Sequence, residues 1–362
     1  MSSRREFIKN SAMVGMALSA SSARTTGGAQ GPPVKLPTPR AMELMSRFGL
    51  KYPIFQAPHS GAGPDLVAAV SGAGAMGILR GTRLTPEDGR KVVTTVRART
   101  ERTFAVNYIL AFEPDSLPAV LDAGAPILHF SWGLPKKDMI SAIRSAGAKF
   151  GVQVANAAGA RLALDLGADY LVCQGVEAGG HVQSSTALYE LLPKVLEKAG
   201  NTPVLVAGGI GHGKKIREAL LAGASGAMLG TRFVATQESL AHPEYKSLLI
   251  KSTGSETTMS VCFQDGWPGA THRALRNSTL ERWEAAGCPP VGRRPGEGDV
   301  VARRSDGTTV LRYNAASPLN DLRGMITDMA LFAGLGVGDI RDIPSASELV
   351  SRLWTECLEP SR

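Results

Sequence analysis

The sequence predicts an α/β protein: a (β/α)8 TIM barrel carrying a C-terminal, mainly helical extension. Three observations point there. Eight short apolar runs lie between residues 53 and 229, stretches of helical character separate them, and several of those stretches end at a Gly-Ala pair. Eight strand–helix units in about 190 residues make a compact barrel. An open doubly wound sheet is the structural alternative, but no GxGxxG fingerprint directly follows the first strand.

Taken in order, residues 1–23 read as a targeting segment. Ser3-Arg4-Arg5-Glu6-Phe7-Ile8-Lys9 matches the twin-arginine export pattern, and a short, weakly apolar stretch leads to the small residues Ser21 and Ala23. This predicts export of the folded chain to a periplasmic or other extracytoplasmic location, or a cytoplasmic one if the signal is not used. Residues 24–40, rich in Gly, Pro and Thr, read as a linker. The barrel is expected over 41–254. Strands are predicted at 53–57, 75–79, 103–109, 127–131, 149–154, 170–173, 203–207 and 226–229, rich in Val, Ile, Leu and Ala without polar alternation, as in strands covered on both faces. Helices are predicted at 65–71, 86–98, 116–123, 136–145, 157–166, 187–199 and 214–221. Thr85-Pro86-Glu87-Asp88 is a start signal, with Thr as N-cap and Pro at the first helical position. Ala123-Gly124-Ala125, Ala146-Gly147-Ala148, Leu166-Gly167-Ala168 and Ala222-Gly223-Ala224 are stop signals, Gly supplying the left-handed cap. Over 255–362, segments 318–333 and 345–358 have Leu, Met and Ala at helical spacing and are expected to cover the barrel or to pair two copies as a homodimer. The Gly/Arg-rich segment 289–309 reads as an inserted surface hairpin with no catalytic role.

Composition narrows the function. A net charge of +8 favours anionic partners, but aromatics are only 6% and no Lys/Arg block alternates with them, which argues against nucleic acid. No run of 18 apolar residues is present, so an ordinary transmembrane helix is excluded. The four Cys form no CxxC pair and the six His no HExxH or HxH, so neither a metal site nor a disulfide scaffold is expected.

Barrel active sites form at the C-terminal ends of the strands. After the seventh predicted strand stands Ala207-Gly208-Gly209-Ile210, and after the eighth Leu229-Gly230-Thr231-Arg232. Glycine loops in those two places, with a helix N-terminus, form the usual phosphate cradle of such barrels, although glycines also make plain tight turns. After the sixth strand comes Gln174-Gly175-Val176-Glu177-Ala178-Gly179-Gly180-His181. Gln174 offers donor and acceptor to a flat heterocycle, Gly179 and Gly180 allow close backbone approach, and His181 projects from a flexible loop as a candidate general base. Asn107 offers a further amide, and Ala57-Pro58-His59 a short rigid backbone. His129 and Trp132 read as packing or wall residues.

Gln56-Ala57-Pro58, Val106-Asn107, the 174–181 run, Ala-Gly-Gly-Ile at 207–210 and Gly-Thr-Arg-Phe at 230–233 together resemble the nitronate monooxygenase family, formerly 2-nitropropane dioxygenase. The FMN-dependent enoyl-acyl-carrier-protein reductases share much of the pattern. The resemblance implies FMN contacts at Ala57, Pro58, Asn107, Gln174, Gly179, Gly209, Gly230 and Thr231, the last three at the phosphate, with His181 as active-site histidine. It also implies a small nitronate or nitroalkane and O2 as substrates, with a carbonyl compound and nitrite as products. A protonated His181 beside an anionic nitronate would be favoured electrostatically. Two departures concern the substrate: His59 stands where the family usually has Met, and Val182-Gln183-Ser184 replaces its usual turn. The alternatives are an NAD(P)H-dependent reductase of enoyl thioesters or quinones, and an exported FMN-binding protein without turnover.

Overall fold

Helix α1, Pro39–Phe48, is the first element of the structure, a computed structural model that describes residues 35–360. The twin-arginine motif and residues 1–34 lie outside the described residues. The hydroxyl of Thr38 accepts from Ala41 N–H, Pro39 opens the helix and Gly49 closes it at φ 65°. The expected linker therefore ends two residues early, at the same Thr-Pro signal that starts the helix at 86.

Eight strands follow: β1 (Ile54–Gln56), β2 (Gly77–Arg80), β3 (Phe104–Ile109), β4 (Ile127–Ser131), β5 (Lys149–Val154), β6 (Tyr170–Gln174), β8 (Val204–Ala207) and β9 (Gly226–Leu229). A short strand, β7 (Gly180–His181), lies outside the barrel sheet. The eight pair in parallel in the order β1-β9-β8-β6-β5-β4-β3-β2, and the Phe55–Met76 bridge closes the ring. Between them run α2 (Pro64–Gly72), α3 (Pro86–Arg97), α4 (Leu117–Asp122), α5 (Lys137–Ser145), α6 (Ala157–Asp165), α7 (Leu188–Ala199) and α8 (Gly213–Leu221). The (β/α)8 barrel expected from the sequence is the fold observed.

Two apolar layers hold it. One lies between strands and helices; the other fills the barrel, with Phe55, Ile78, Ala105, Ile127, Tyr170, Val172 and Leu205 inside and Leu44 and Phe48 of α1 plugging the N-terminal end. Tyr170 is the centre of the plug. Its ring meets Phe48 and Phe55 edge-on at 5.4 and 5.5 Å and stacks on His129 at 5.7 Å, and its hydroxyl lies 3.1 Å from His129 Nδ1. His129 is thus a buried packing residue. The ring fits because position 151 is glycine.

The C-terminal part differs from expectation. After β9 come α9 (Thr231–Val234), α10 (Pro243–Leu249), β10 (Thr257–Ser260), β11 (His272–Leu275), α11 (Ser278–Ala285), β12 (Val300–Arg304), β13 (Thr309–Leu311), β14 (Leu322–Gly324) and α12 (Ala346–Leu358). Two antiparallel sheets, β10-β11-β7 and β13-β12-β14, make it a mixed rather than mainly helical extension. Segment 318–333 is not an α-helix; it holds β14 and one 3-10 turn at Ile326–Asp328. Its Leu322 pairs with Arg304, Gly324 takes φ 138° tight against Val301 O, and Leu322, Ile326 and Met329 bury in one small cluster with Val301, Ala302 and Val310. Tertiary pairing overrides the helical spacing there. Segment 345–358 is helical and completes the barrel: α12 packs on α8 and α2, with Glu356 accepting from Gly213 N–H at 2.7 Å. From Leu36 onward the chain is one compact unit.

A Cβ at position 151 would sit 2.1 Å from Tyr170 Cζ. Gly151→Ala is therefore expected to cost about 3 kcal/mol by overpacking, read from the urea midpoint. Adding Tyr170→Leu should return part of that loss.

Candidate active site

The C-terminal strand ends surround a cavity of roughly 400 Å³. Ala57, Pro58 and His59 enter it from β1, Asn107 from β3, Gln174 from β6, Gly179 and His181 from the loop beyond, Gly209 after β8, and Gly230 and Thr231 after β9. Every residue singled out in the sequence as a catalytic or cofactor-binding candidate lines this one space.

One end is built of glycine. Gly208 and Gly209 take φ of 124° and 69°, and a Cβ on Gly209 would press on Glu177 Cβ at 3.3 Å. Residues 333–336 lie across these loops. A Cβ on Gly179 would come 2.3 Å from Gly334 N, and one on Gly211 2.4 Å from Gly336 O, so only glycine permits the approach. Leu335 N–H donates to Glu177 O and Gly334 N–H to the Thr231 hydroxyl, at 3.0 and 3.1 Å. Behind them Arg232 is 3% exposed and binds Asp342, whose carboxylate also takes both guanidinium nitrogens of Arg352.

The other end is aromatic. His181 stacks on Trp267 at 4.1 Å between centroids, with Phe332 at 5.1 Å and Trp132 at 6.4 Å. Against expectation His181 does not hang from a flexible loop: it is half of β7 and pairs with His272 of β11. Val182 N–H continues the pairing to Thr271 O at 3.0 Å. The altered turn is held too: Gln183 N–H donates to Gln174 Oε1 at 2.9 Å and the Gln183 amide accepts from Gln153 at 2.6 Å. Gln174 is therefore engaged with this strap through its acceptor oxygen. His272 receives Phe263 N–H at Nε2 and lies 3.0 Å from Ala270 O at Nδ1, so its proton is on Nδ1.

Burial decides the charges. Desolvation first, then His272 and Arg83, lower the His181 pKa to about 3, and its Nε2 is buried without a partner. The expected imidazolium is therefore a neutral imidazole here, because the rings packed around it strip water from it and so disfavour charge. His59 is lowered to about 3 by burial and Lys246, His129 to about 3 by burial alone, and His272 to about 4. Both ring nitrogens of His59 and the Oδ1 of Asn107 are buried and unpartnered.

Sequence reasoning missed the cap residues Trp267 and Phe332, and the arginines Arg80, Arg83 and Arg304 that line the same cavity. Arg304 belongs to the 289–309 segment, which forms a hairpin as expected but also reaches the site. One signal for Trp267 was available: a tryptophan between Gly266 and Pro268, in a turn rather than in an apolar run. Among the described residues no cluster of His, Cys, Asp or Glu suits a metal ion.

The four imidazoles stay neutral when folded but titrate near 6.5 when unfolded. Between pH 6.5 and about 3 the unfolded chain binds more protons, so stability falls as pH drops through that window. Thermal unfolding should show a flat Tm above pH 7.5 and a steady fall from 6.5 to 4, shallower in His59→Met. A Tm independent of pH would mean that these rings are not buried.

Comparison with known proteins agrees with this geometry. The nitronate monooxygenase family model matches residues 42–119 and 113–356. A nitronate monooxygenase of Pseudomonas aeruginosa is 30% identical over 85% of this chain and 97% of its own length. Also 30% identical, over 87% of this chain and 95% of its own, is a (3aS,4S,5R,7aS)-5-hydroxy-7a-methyl-1-oxo-octahydro-1H-indene-4-carboxyl-CoA dehydrogenase of Mycobacterium tuberculosis. Among solved structures, FabK from Thermotoga maritima superposes with a TM-score of 0.70 at 26% identity, over 87% of this chain and 95% of that one. The chain belongs to the nitronate monooxygenase family of flavin-dependent oxidoreductases.

Proposed function

We propose that this chain is an FMN-dependent nitronate monooxygenase that converts alkyl nitronates and O2 to a carbonyl compound and nitrite. The observation that carries the reading is the unpartnered, buried Nε2 of His181 in an aromatic box that shares its cavity with the glycine loops. A glycine-built end and an orphaned amide oxygen at Asn107 fit a flat, phosphorylated heterocycle. FMN, when bound, would supply the electron transfer between nitronate and oxygen.

The chain's own residues do the rest. Gly209, Gly230 and Thr231 would hold the phosphate, Ala57, Pro58 and Gly179 would bring backbone close to the ring, and Asn107 and Gln174 would meet its polar edge. A neutral His181 can take the α-proton of a nitroalkane or hold a nitro oxygen after gaining a proton. Trp132, Trp267 and Phe332 exclude water, which strengthens either interaction. We also propose export by the twin-arginine route, on the strength of residues 3–9.

A second reading, an NAD(P)H-dependent flavin reductase, is favoured by the likeness to FabK. The visible spectrum separates the two. Anaerobic addition of a small alkyl nitronate should bleach the oxidised-flavin bands, and admitting air should release nitrite. Bleaching by NADH alone supports the reductase, and folded protein without flavin overturns both. His181→Ala should keep its flavin and lose about 10²–10⁴ in kcat/KM. Gly209→Asp, which places a negative charge in the cradle, should purify without flavin.

A further inference from the structure

We propose that the mouth of the cavity carries a second anion subsite, made by Arg80, Arg83 and Arg304, that takes the phosphate groups of a phosphorylated substrate. The proposal rests on the flavin reading in one respect: it assigns the flavin phosphate to the glycine loops after β8 and β9. Arg80 and Arg83 stand elsewhere on the ring, beyond β1, and Arg304 reaches the cavity from outside the ring.

Three separate elements bring the arginines together. Arg80 is the last residue of β2, Arg83 follows in the β2–α3 connection, and Arg304 ends β12 of the hairpin that the sequence marked as an insertion. All three line the cavity. Arg83 is held in place by its surroundings: its guanidinium donates to Gly266 O and lies over the Phe112 ring at 4.0 Å. Its backbone is left-handed, φ 62°, a conformation that costs energy in a residue with a Cβ and that concentrates at ligand clamps. Arg304 pairs with Asp321. Arg80 makes no ion pair among the described residues, and the charges of Arg83 and Arg304 both bear on it.

Among the described residues, the surroundings neutralise only part of this charge. Among the described residues Asp265 is the one acid in the cavity wall, and Arg294 takes both of its oxygens at 2.8 and 3.0 Å. With Asp321 assigned to Arg304, two positive charges are left facing the opening. A carboxylate would balance one of them. A phosphate dianion or a pyrophosphate balances both and offers enough oxygens for planar guanidinium forks, a geometry that lysine does not supply. The substrate would thus be anchored by its phosphorylated end at the mouth while its reacting end reaches His181.

The test is calorimetric titration of the flavin-loaded full chain with inorganic pyrophosphate, and with acetate for comparison. Pyrophosphate should bind, acetate should not, and binding should weaken at least tenfold in Arg80→Gln and in Arg304→Gln. Among the described residues Arg80 has no side-chain hydrogen bond or ion pair to lose, so that variant should melt with the wild type. Arg90→Gln, on the outer face of α3, should bind as wild type does. Adenosine 3′,5′-bisphosphate and ADP-ribose then separate the two sources of such an end, a coenzyme A thioester and a nicotinamide nucleotide. Equal pyrophosphate affinity in wild type and Arg80→Gln overturns the subsite, even when flavin is present. Arg80-dependent binding in protein that carries no flavin sustains the subsite and overturns the flavin reading instead.

Discussion

Backbone laid directly on backbone holds this site together. Gly334 and Gly336 cross the loops that carry Gly179, Gly209 and Gly211 so closely that a Cβ at any of several positions would overlap main-chain atoms within 3 Å. Main chain cannot repack as a side chain can, so the approach demands glycine on both partners. Much of the site follows from it. The hydrogen bonds from Leu335 and Gly334 fix the crossing, and the crossing fixes Phe332 beside His181, where the Tyr245 hydroxyl also grips the Phe332 carbonyl. If the crossing stood off by the radius of a methyl group, water would enter the aromatic box and His181 would regain its ordinary pKa.

The cavity has two electrostatic regimes. Its inner wall and the barrel plug beneath it hold ionisable rings in their uncharged forms by burial: His59 and His181 in the wall and His129 in the plug resist protonation, and Tyr170 of the plug resists ionisation. Its mouth keeps charge, because Arg80 and Arg83 are exposed, Arg304 is half-buried and one acid is already committed to Arg294. Anions are therefore drawn to the entrance and meet hydrogen-bonding groups rather than fixed charges inside. A neutral base facing an incoming anion gains proton affinity as water is expelled, since the only uncompensated charge in the box is then negative.

The strands were legible because each is a short apolar run buried on both faces, and the Gly-Ala stops were legible because glycine alone closes a helix in the left-handed region. Gln174 and the glycine loops were legible for the same local reason, since they sit where those strands end, and Asn107 as an amide within the apolar run of β3. The N-terminal helix was readable but hidden by its neighbours, since Thr38-Pro39 carries the same cap as Thr85-Pro86 yet follows a Gly/Pro-rich stretch. What could not be read is non-local. His181 lies on a strand only because β11, some 90 residues later, supplies its partner. Trp267 and Phe332 meet it from segments with no periodicity of their own. Segment 318–333 has helical spacing, but pairing with β12 outweighs that preference.

The position of the last helix ties the barrel to its cap. Residues 230–345 intervene between the eighth barrel strand and α12, the helix that covers the wall between α8 and α2. The chain therefore cannot seal the barrel until the whole cap has been traversed. The seal itself is ionic and local to the site: Arg232, one residue past Thr231, shares Asp342 with Arg352 of α12. Gly213 at the start of α8 adds a second tie, since a Cβ there would lie 2.1 Å from Leu353 O. Closing such long-range contacts costs chain entropy that only the completed contacts return, so partial structures are disfavoured. The glycine loops, the cap crossing and the final helix consequently form as one cooperative unit, and a fold that lacks its site roof also lacks a finished barrel.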